Sequence, residues 1–315
     1  MDFVSVPGIG ERVSTVGFGC AAIGGYDYGP VDDAESIASI HEAVDSGINF
    51  FDTADVYGLG RSEEVLGQAL STATTQVIVA TKVGVRWAPG GATWRDSSPD
   101  YIRIAVEDSL RRLRRDYIDL YQIHWHDPST PLEATLETLS DLEAEGKIRA
   151  SGCCNFDSSL LASALSITKT GRTILRTTQV SVNVGDTTKV PDVASARTLG
   201  LTGLAYNVLA QGFYSGKYTR DSTFEGTDLR RRNPVFAGES FDAHFRVLQQ
   251  IESVARTCGR TSVQTAIRWV LDATPISIAL VGIKRRAQVR EAVGAAGWQL
   301  GSDAILSLGT TSEEQ

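Results

Sequence analysis

The chain has 315 residues, 42% apolar and 22% charged, enough to bury a large core in either two domains or one α/β barrel. Its net charge of −8 argues against nucleic acid or an anionic membrane as the main partner, because phosphate binding needs clustered Lys and Arg. No apolar run approaches the roughly 18 residues of a membrane span, and the opening MDFVSVPGIGERVS lacks the basic start and apolar core of a signal peptide, so a soluble, cytoplasmic protein is expected.

In chain order, DFVSVPGIGERVS reads as a short β-hairpin ahead of the first long strand, closing the bottom of the fold. Strands are expected at 14–20, 48–52, 77–82, 117–124, 148–154, 177–183, 201–207 and 277–283. Helical spacing fills segments between them, at 33–47, 98–113 and 131–146. The second opens with Ser98 as cap and Pro99 in the first turn, and the third ends at Gly146. The strands are mostly apolar on both faces, as in parallel sheets covered by helices. Eight such units favour a (β/α)8 TIM barrel over a doubly wound sheet, as a single domain spanning 1–315. Two stretches, 83–98 with Trp87 and Trp94, and 212–241, rich in Arg, Gly and Phe, are long enough to be functional loops at the C-terminal face. The last residues, GTTSEEQ, read as a frayed tail.

Polar residues punctuate the strand ends. Strand two ends in Asp52 with Tyr57 in the loop after it, strand three in Lys82, and strand four in His124. In a barrel these ends converge on the catalytic face. A buried acid there needs a partner, and Lys82 can supply it. The Lys82 ammonium is expected to lower the pKa of the Tyr57 phenol, ordinarily about 10, and His124 to hydrogen-bond the same substrate oxygen. Such a group protonates a carbonyl oxygen under reduction or takes a proton from an alcohol. Cys20, Cys153, Cys154 and Cys258 include no CxxC pair, and the close pair His124 and His126 forms no HExxH, so reduced thiols and no protein metal site are expected.

These residues, with YGLGRSEEVLGQAL, SLRRLRRDYIDLYQIHW, LEAEGKIRASG and AQGFYSGKY, resemble the aldo-keto reductase superfamily over nearly the whole chain, most closely its bacterial inositol-cluster and general-stress branch. The resemblance implies a barrel that binds a nicotinamide cofactor without a Rossmann fold, with Asp52, Tyr57, Lys82 and His124 as its tetrad. GIGERV and GLGRSE accordingly lack the third glycine of a dinucleotide loop, and GFYSGKY is a residue short of a phosphate loop. By the same resemblance Asn155 and Gln179 hold the carboxamide, with Cys154 in place of the usual Ser, and Tyr206 stacks on the nicotinamide. Leu209, Gln211, Gly212 and Lys217 wrap the pyrophosphate. Lys284 and Arg285 face a 2′-phosphate, and Gln288 and Glu291 lie on the adenine side. The two basic residues favour NADP(H) over NAD(H). Tyr26, Trp87, Trp94, Trp125 and His126 are the candidate substrate lining for a small carbonyl or alcohol compound. The expected activity is NADP-dependent interconversion of an aldehyde or ketone and an alcohol. An NAD-dependent dehydrogenase of a sugar, cyclitol or pyridoxal, a nucleotide-sugar keto reductase, and a redox-sensing cofactor-binding regulatory subunit are the alternatives.

Overall fold

The computed structural model describes residues 1–72, 75–88, 90–167 and 175–309, so most of the expected tail lies outside the described residues. Strands β1 (Phe3–Ser5) and β2 (Arg12–Ser14) form the expected antiparallel hairpin, with Val4 opposite Val13. Eight further strands are parallel and close on themselves: β3 (Val16–Gly19), β4 (Phe50–Asp52), β5 (Ile78–Val83), β8 (Ile118–Ile123), β9 (Ile148–Cys154), β10 (Leu175–Ser181), β11 (Thr202–Tyr206) and β12 (Ile276–Gly282). This is the (β/α)8 barrel, and each barrel strand overlaps a segment read from the sequence.

The hairpin plugs the barrel. Val6, Ile9 and Val13 pack against Phe50, Ile78, Leu120, Leu204 and Ile278, which point inward from the strands. That leaves the opposite end of the barrel for polar side chains. The helices lie outside: α1 (Asp33–Asp45), α2 (Arg61–Leu70), α3 (Pro99–Leu113), α4 (Leu132–Ala144), α5 (Ser158–Ser166), α6 (Val190–Thr198), α7 (Gly238–Cys258), α8 (Ser262–Ala273), α9 (Arg286–Val293) and α10 (Ser302–Gly309). Ser98 caps α3 by accepting from the Tyr101 N–H, and Gly146 follows α4 at a φ of 74°, where a left-handed residue ends a helix without steric cost. None of the helices among the described residues is long and apolar enough to cross a membrane.

The two long stretches carry structure of their own. Within 83–98, β6 (Val85–Trp87) pairs with β7 (Thr93–Arg95) as an antiparallel hairpin. Its tip turns through Gly90 and Gly91, at φ values of 101° and 88° that side chains rarely adopt. Within 212–241 the chain makes 3-10 turns at Phe213–Ser215, Leu229–Arg232 and Pro234–Phe236. It then enters α7, so two helices rather than one separate β11 from β12.

Candidate active site

Side chains on a strand alternate between faces, so Phe50 and Asp52 share the inner face of β4, and Ile78, Ala80 and Lys82 that of β5. The strand register sets Asp52 beside Ala80 and Lys82 beside Gln122. The apolar residues of each set fill the plugged half, and the polar ones meet at the open end. There Lys82 Nζ donates to Asp52 Oδ2 at 2.6 Å, to the Thr53 carbonyl at 2.7 Å and to the Tyr57 hydroxyl at 3.4 Å. The other Asp52 oxygen accepts from Gln179 Nε2 at 2.8 Å and Gln122 Nε2 at 3.3 Å. His124 stands edge-on to Tyr57 with ring centres 5.7 Å apart, so Asp52, Tyr57, Lys82 and His124 come together.

The electrostatics of this cluster follow from burial and one ion pair. Burial works to lower the Lys82 pKa, but the adjacent Asp52 carboxylate outweighs it and holds the ammonium charged. Burial raises the Tyr57 phenol above its ordinary value, and the opposing pull of Lys82 recovers only part of the rise. The expected net lowering is therefore corrected: Tyr57 is held as a phenol, the form a proton donor needs. Burial, with Lys82 second, pushes the His124 pKa down and leaves the imidazole neutral. Its Nδ1 is buried without a hydrogen-bond partner among the described residues. Burial raises Cys154, and pushes Cys153 up to about 12, so both are unreactive packing thiols.

Asn155 and Gln179 are drawn into this network. Asn155, in the left-handed region at a φ of 62°, donates from Nδ2 to the His124 carbonyl at 3.2 Å. Its Oδ1 accepts from the Tyr206 hydroxyl at 2.9 Å. Gln179 is bound to Asp52, and neither amide lines the open cleft. Cys154, in place of a hydroxyl, lies 3.8 Å from Gln122 Oε1.

A cleft of about 860 Å³ opens over Asp52 and Tyr57 and runs outward past Tyr206. Leu209, Gln211, Gly212 and Lys217 form one wall, and Lys284, Gln288 and Glu291 form its far end. Loop 207–212 is held in an uncommon backbone: Asn207, Ala210, Gln211 and Gly212 have φ values of 61°, 47°, 54° and 88°. Asn207 makes this possible by accepting from the Gln211 N–H at 2.9 Å and donating to Ser181 Oγ at 3.1 Å. Gln211 Oε1 is buried there without a partner among the described residues. A strained backbone beside an unpartnered buried side-chain oxygen is a combination retained where a ligand uses it.

At the far end, Gln288 Oε1 accepts from the N–H groups of Lys284 at 2.8 Å and Arg285 at 3.1 Å, fixing the start of α9. Burial lowers the Lys284 pKa, and Arg230, Arg285 and Lys217 push the same way while Asp228 opposes. Lys284 and Lys217 line the cleft near Arg230, which Asp228 already pairs, and like charges that lower the Lys284 pKa fit an anion. Arg285 itself is exposed and lies outside the cleft lining. Glu291 is bound to the Thr261 hydroxyl. Arg230, Tyr28 and Ser181 also line the cleft and carried no individual signal in the sequence, since only folding sets 28 beside 230.

The substrate candidates are placed differently from expectation. Trp87 packs on Arg112 at 5.7 Å, Trp94 on Arg86 at 5.6 Å and Trp125 on Arg95 at 5.5 Å, while His126 meets Phe156 edge-on. Tyr26 lines a second cavity. None of the five lines the cleft that holds Tyr57.

A model of the aldo/keto reductase family matches residues 15–308. Aldo-keto reductase YhdN of Bacillus subtilis (strain 168) is 36% identical, over 99% of this chain and 94% of its own. Aldo-keto reductase yakc [NADP(+)] of Schizosaccharomyces pombe is 29% identical over 90% of this chain and 84% of its own. The structure of the glycerol dehydrogenase AKR11B4 from Gluconobacter oxydans superposes with a TM-score of 0.91 at 37% identity, covering 99% of this chain and 95% of that one. The chain belongs to the aldo/keto reductase family and is an oxidoreductase of carbonyl and alcohol groups.

Proposed function

We propose that the chain is an NADP(H)-dependent reductase of an aldehyde or ketone with Tyr57 as its general acid. The observation that carries this reading is the buried Lys82, held between the Asp52 carboxylate at 2.6 Å and the Tyr57 hydroxyl at 3.4 Å, the two of these residues that line the cleft. When bound, the nicotinamide supplies or accepts the hydride.

The cleft fits such a cofactor. Its wall carries Lys217, the left-handed loop and Gln211 Oε1, buried without a partner among the described residues, and its far end carries Lys284. Tyr206 presents a ring next to the tetrad, with its hydroxyl tied back to Asn155. Lys217 and the 207–212 loop would hold the pyrophosphate, and Lys284 with Arg285 a 2′-phosphate. That preference for NADP(H) agrees with the cofactor in the name of the Schizosaccharomyces relative.

Tyr57 then delivers its proton to the substrate oxygen. The charged Lys82 stabilises the phenolate that remains, and Asp52 keeps that ammonium charged and in place. Neutral His124, edge-on to Tyr57, can donate a hydrogen bond to the same oxygen without adding charge. Positioned proton transfer of this kind contributes roughly 10²–10⁴-fold to rate. Run backward, Tyr57 would take the hydroxyl proton of an alcohol that would give its hydride to the bound nicotinamide, the direction in the name of the Gluconobacter relative.

Titration of the intrinsic tryptophan fluorescence with NADPH and with NADH tests the cofactor half of this reading. Selective NADPH quenching is expected. Preference for NADH would favour an NAD-dependent dehydrogenase of a sugar, cyclitol or pyridoxal, and binding of neither would refute the reading.

A further inference from the structure

Arg230, Arg231 and Arg232 are three consecutive cations in a chain of net charge −8. They occupy the 3-10 turn Leu229–Arg232, capped by the Asp228 carboxylate. Such a turn takes three residues per revolution, so consecutive side chains leave it in different directions. Arg230 lines the main cleft, neutralised by Asp228 and bound to the Tyr218 hydroxyl. Arg231 and Arg232 line a second cavity of about 410 Å³, whose opposite walls are Tyr26, Asp27 and Gly91.

The walls are fixed. Thr227 donates its hydroxyl to the Tyr26 carbonyl, and the Leu229 N–H donates to the Asp27 carbonyl at 2.8 Å. Gly91 closes on Tyr26 so tightly that a Cβ would lie 2.5 Å from the phenol oxygen. Asp27 and Leu229 line both cavities, so the second adjoins the cleft that holds Tyr57. Two guanidinium groups and two carboxylates, those of Asp27 and Asp228, line this cavity, but Asp228 is taken up by Arg230 of the main cleft. With Arg230 and Asp228 paired, two guanidinium groups face the single carboxylate of Asp27. Arg231 spends one nitrogen on the Gly226 carbonyl at 3.1 Å, which orients its fork and leaves donors over.

We propose that Arg231 and Arg232 form an anion subsite for the carboxylate or phosphate of an aldehyde or ketone whose carbonyl end reaches Tyr57. The inference rests on the reductase reading above and narrows its substrate class to acidic carbonyl compounds. Forked guanidinium groups bind both anions through paired N–H donors.

The test uses two matched pairs with NADPH: succinic semialdehyde against butanal, and glyceraldehyde 3-phosphate against glyceraldehyde. In the wild type, kcat/KM is expected to favour the acidic member of one pair by about tenfold or more. The pair that responds identifies the anion as carboxylate or phosphate. That ratio should fall about tenfold in the Arg231→Ala, Arg232→Ala double variant and at about 0.5 M NaCl, with the NADPH Kd unmoved. Arg232→Gln alone, which keeps the size and polarity of the side chain, should reduce it in the same direction. A ratio near one in both pairs, or one that the substitutions leave alone, overturns the subsite while the reductase reading stands. Failure to turn over any of the four by a protein that binds NADPH overturns both together.

Discussion

The Lys82 ammonium stands 3.4 Å from the Tyr57 hydroxyl and 4.9 Å from the centre of its ring. Burial nevertheless keeps the Tyr57 pKa above the ordinary phenol value of about 10. The phenol is thus fully protonated at neutral pH. Reduction should hold a constant kcat from pH 6.5 to about 9, while alcohol oxidation, which needs the phenolate, climbs roughly tenfold per pH unit over that range. Paired pH–rate profiles check this. An oxidation plateau below about pH 8 would place the acting pKa where this arrangement of groups does not.

Behind the Tyr57 loop, Glu63 is fully buried, accepting from Arg112 Nε at 2.7 Å and from the Thr81 hydroxyl at 2.5 Å. Thr81 precedes Lys82 on β5, and Asp55, two residues before Tyr57, is buried beside the pair and pushed up by burial and then by Glu63. Replacing Arg112 with Met strands a buried carboxylate. Urea unfolding of Arg112→Met should show a loss of about 3–5 kcal/mol. A loss under about 1 kcal/mol would mean that the ion pair does not hold this layer together.

Neutral His124 makes stability depend on pH in a defined direction. Its native pKa is lowered, so below the unfolded value of about 6.5 the unfolded chain binds a proton that the native chain does not. Stability from this group is therefore present above pH 6.5 and is lost as pH falls, by up to about 1.4 kcal/mol per unit. Urea unfolding at pH 7.5, 6.5 and 5.5 should show a steeper acid loss in the wild type than in His124→Gln. Parallel slopes would contradict a neutral buried imidazole.

The far end of the cleft carries its own test. Lys284 sits among Arg230, Arg285 and Lys217 with its pKa lowered by burial and by those like charges. A phosphate placed there relieves the repulsion. Lys284→Ala with Arg285→Ala should weaken NADPH by about 1.5–3 kcal/mol relative to NADH, read as the ratio of their Kd values. An unchanged ratio would remove the 2′-phosphate from this end.

Much of this was legible in the sequence, for a physical reason. Buried parallel strands are mostly apolar, so ionisable residues at their C-terminal ends stand out, Asp52 closing β4, Lys82 near the end of β5 and His124 just past β8, and parity puts Asp52 and Lys82 on one inner face. Other features depend on contacts between distant segments. The paired strands β6 and β7 are only three residues each and largely exposed, and their pairing declares itself only through the turn at Gly90 and Gly91. Trp87, Trp94 and Trp125 look like pocket residues by composition, but each found an arginine from another segment or the paired strand. Arg230 was hidden within an Arg-rich stretch because its partner Tyr28 lies far away in the chain. The sign of the Tyr57 shift was missed for the same reason: proximity to Lys82 can be read from spacing, whereas the depth of burial cannot.

Whether Tyr57 is the proton donor is decided most directly by Tyr57→Phe. The variant keeps the ring against His124 and removes only the hydroxyl. Reduction of glyceraldehyde with NADPH should fall by at least about 10²-fold while the NADPH Kd stays within about twofold of wild type. Turnover within about tenfold of wild type would contradict this role and give the proton to another group.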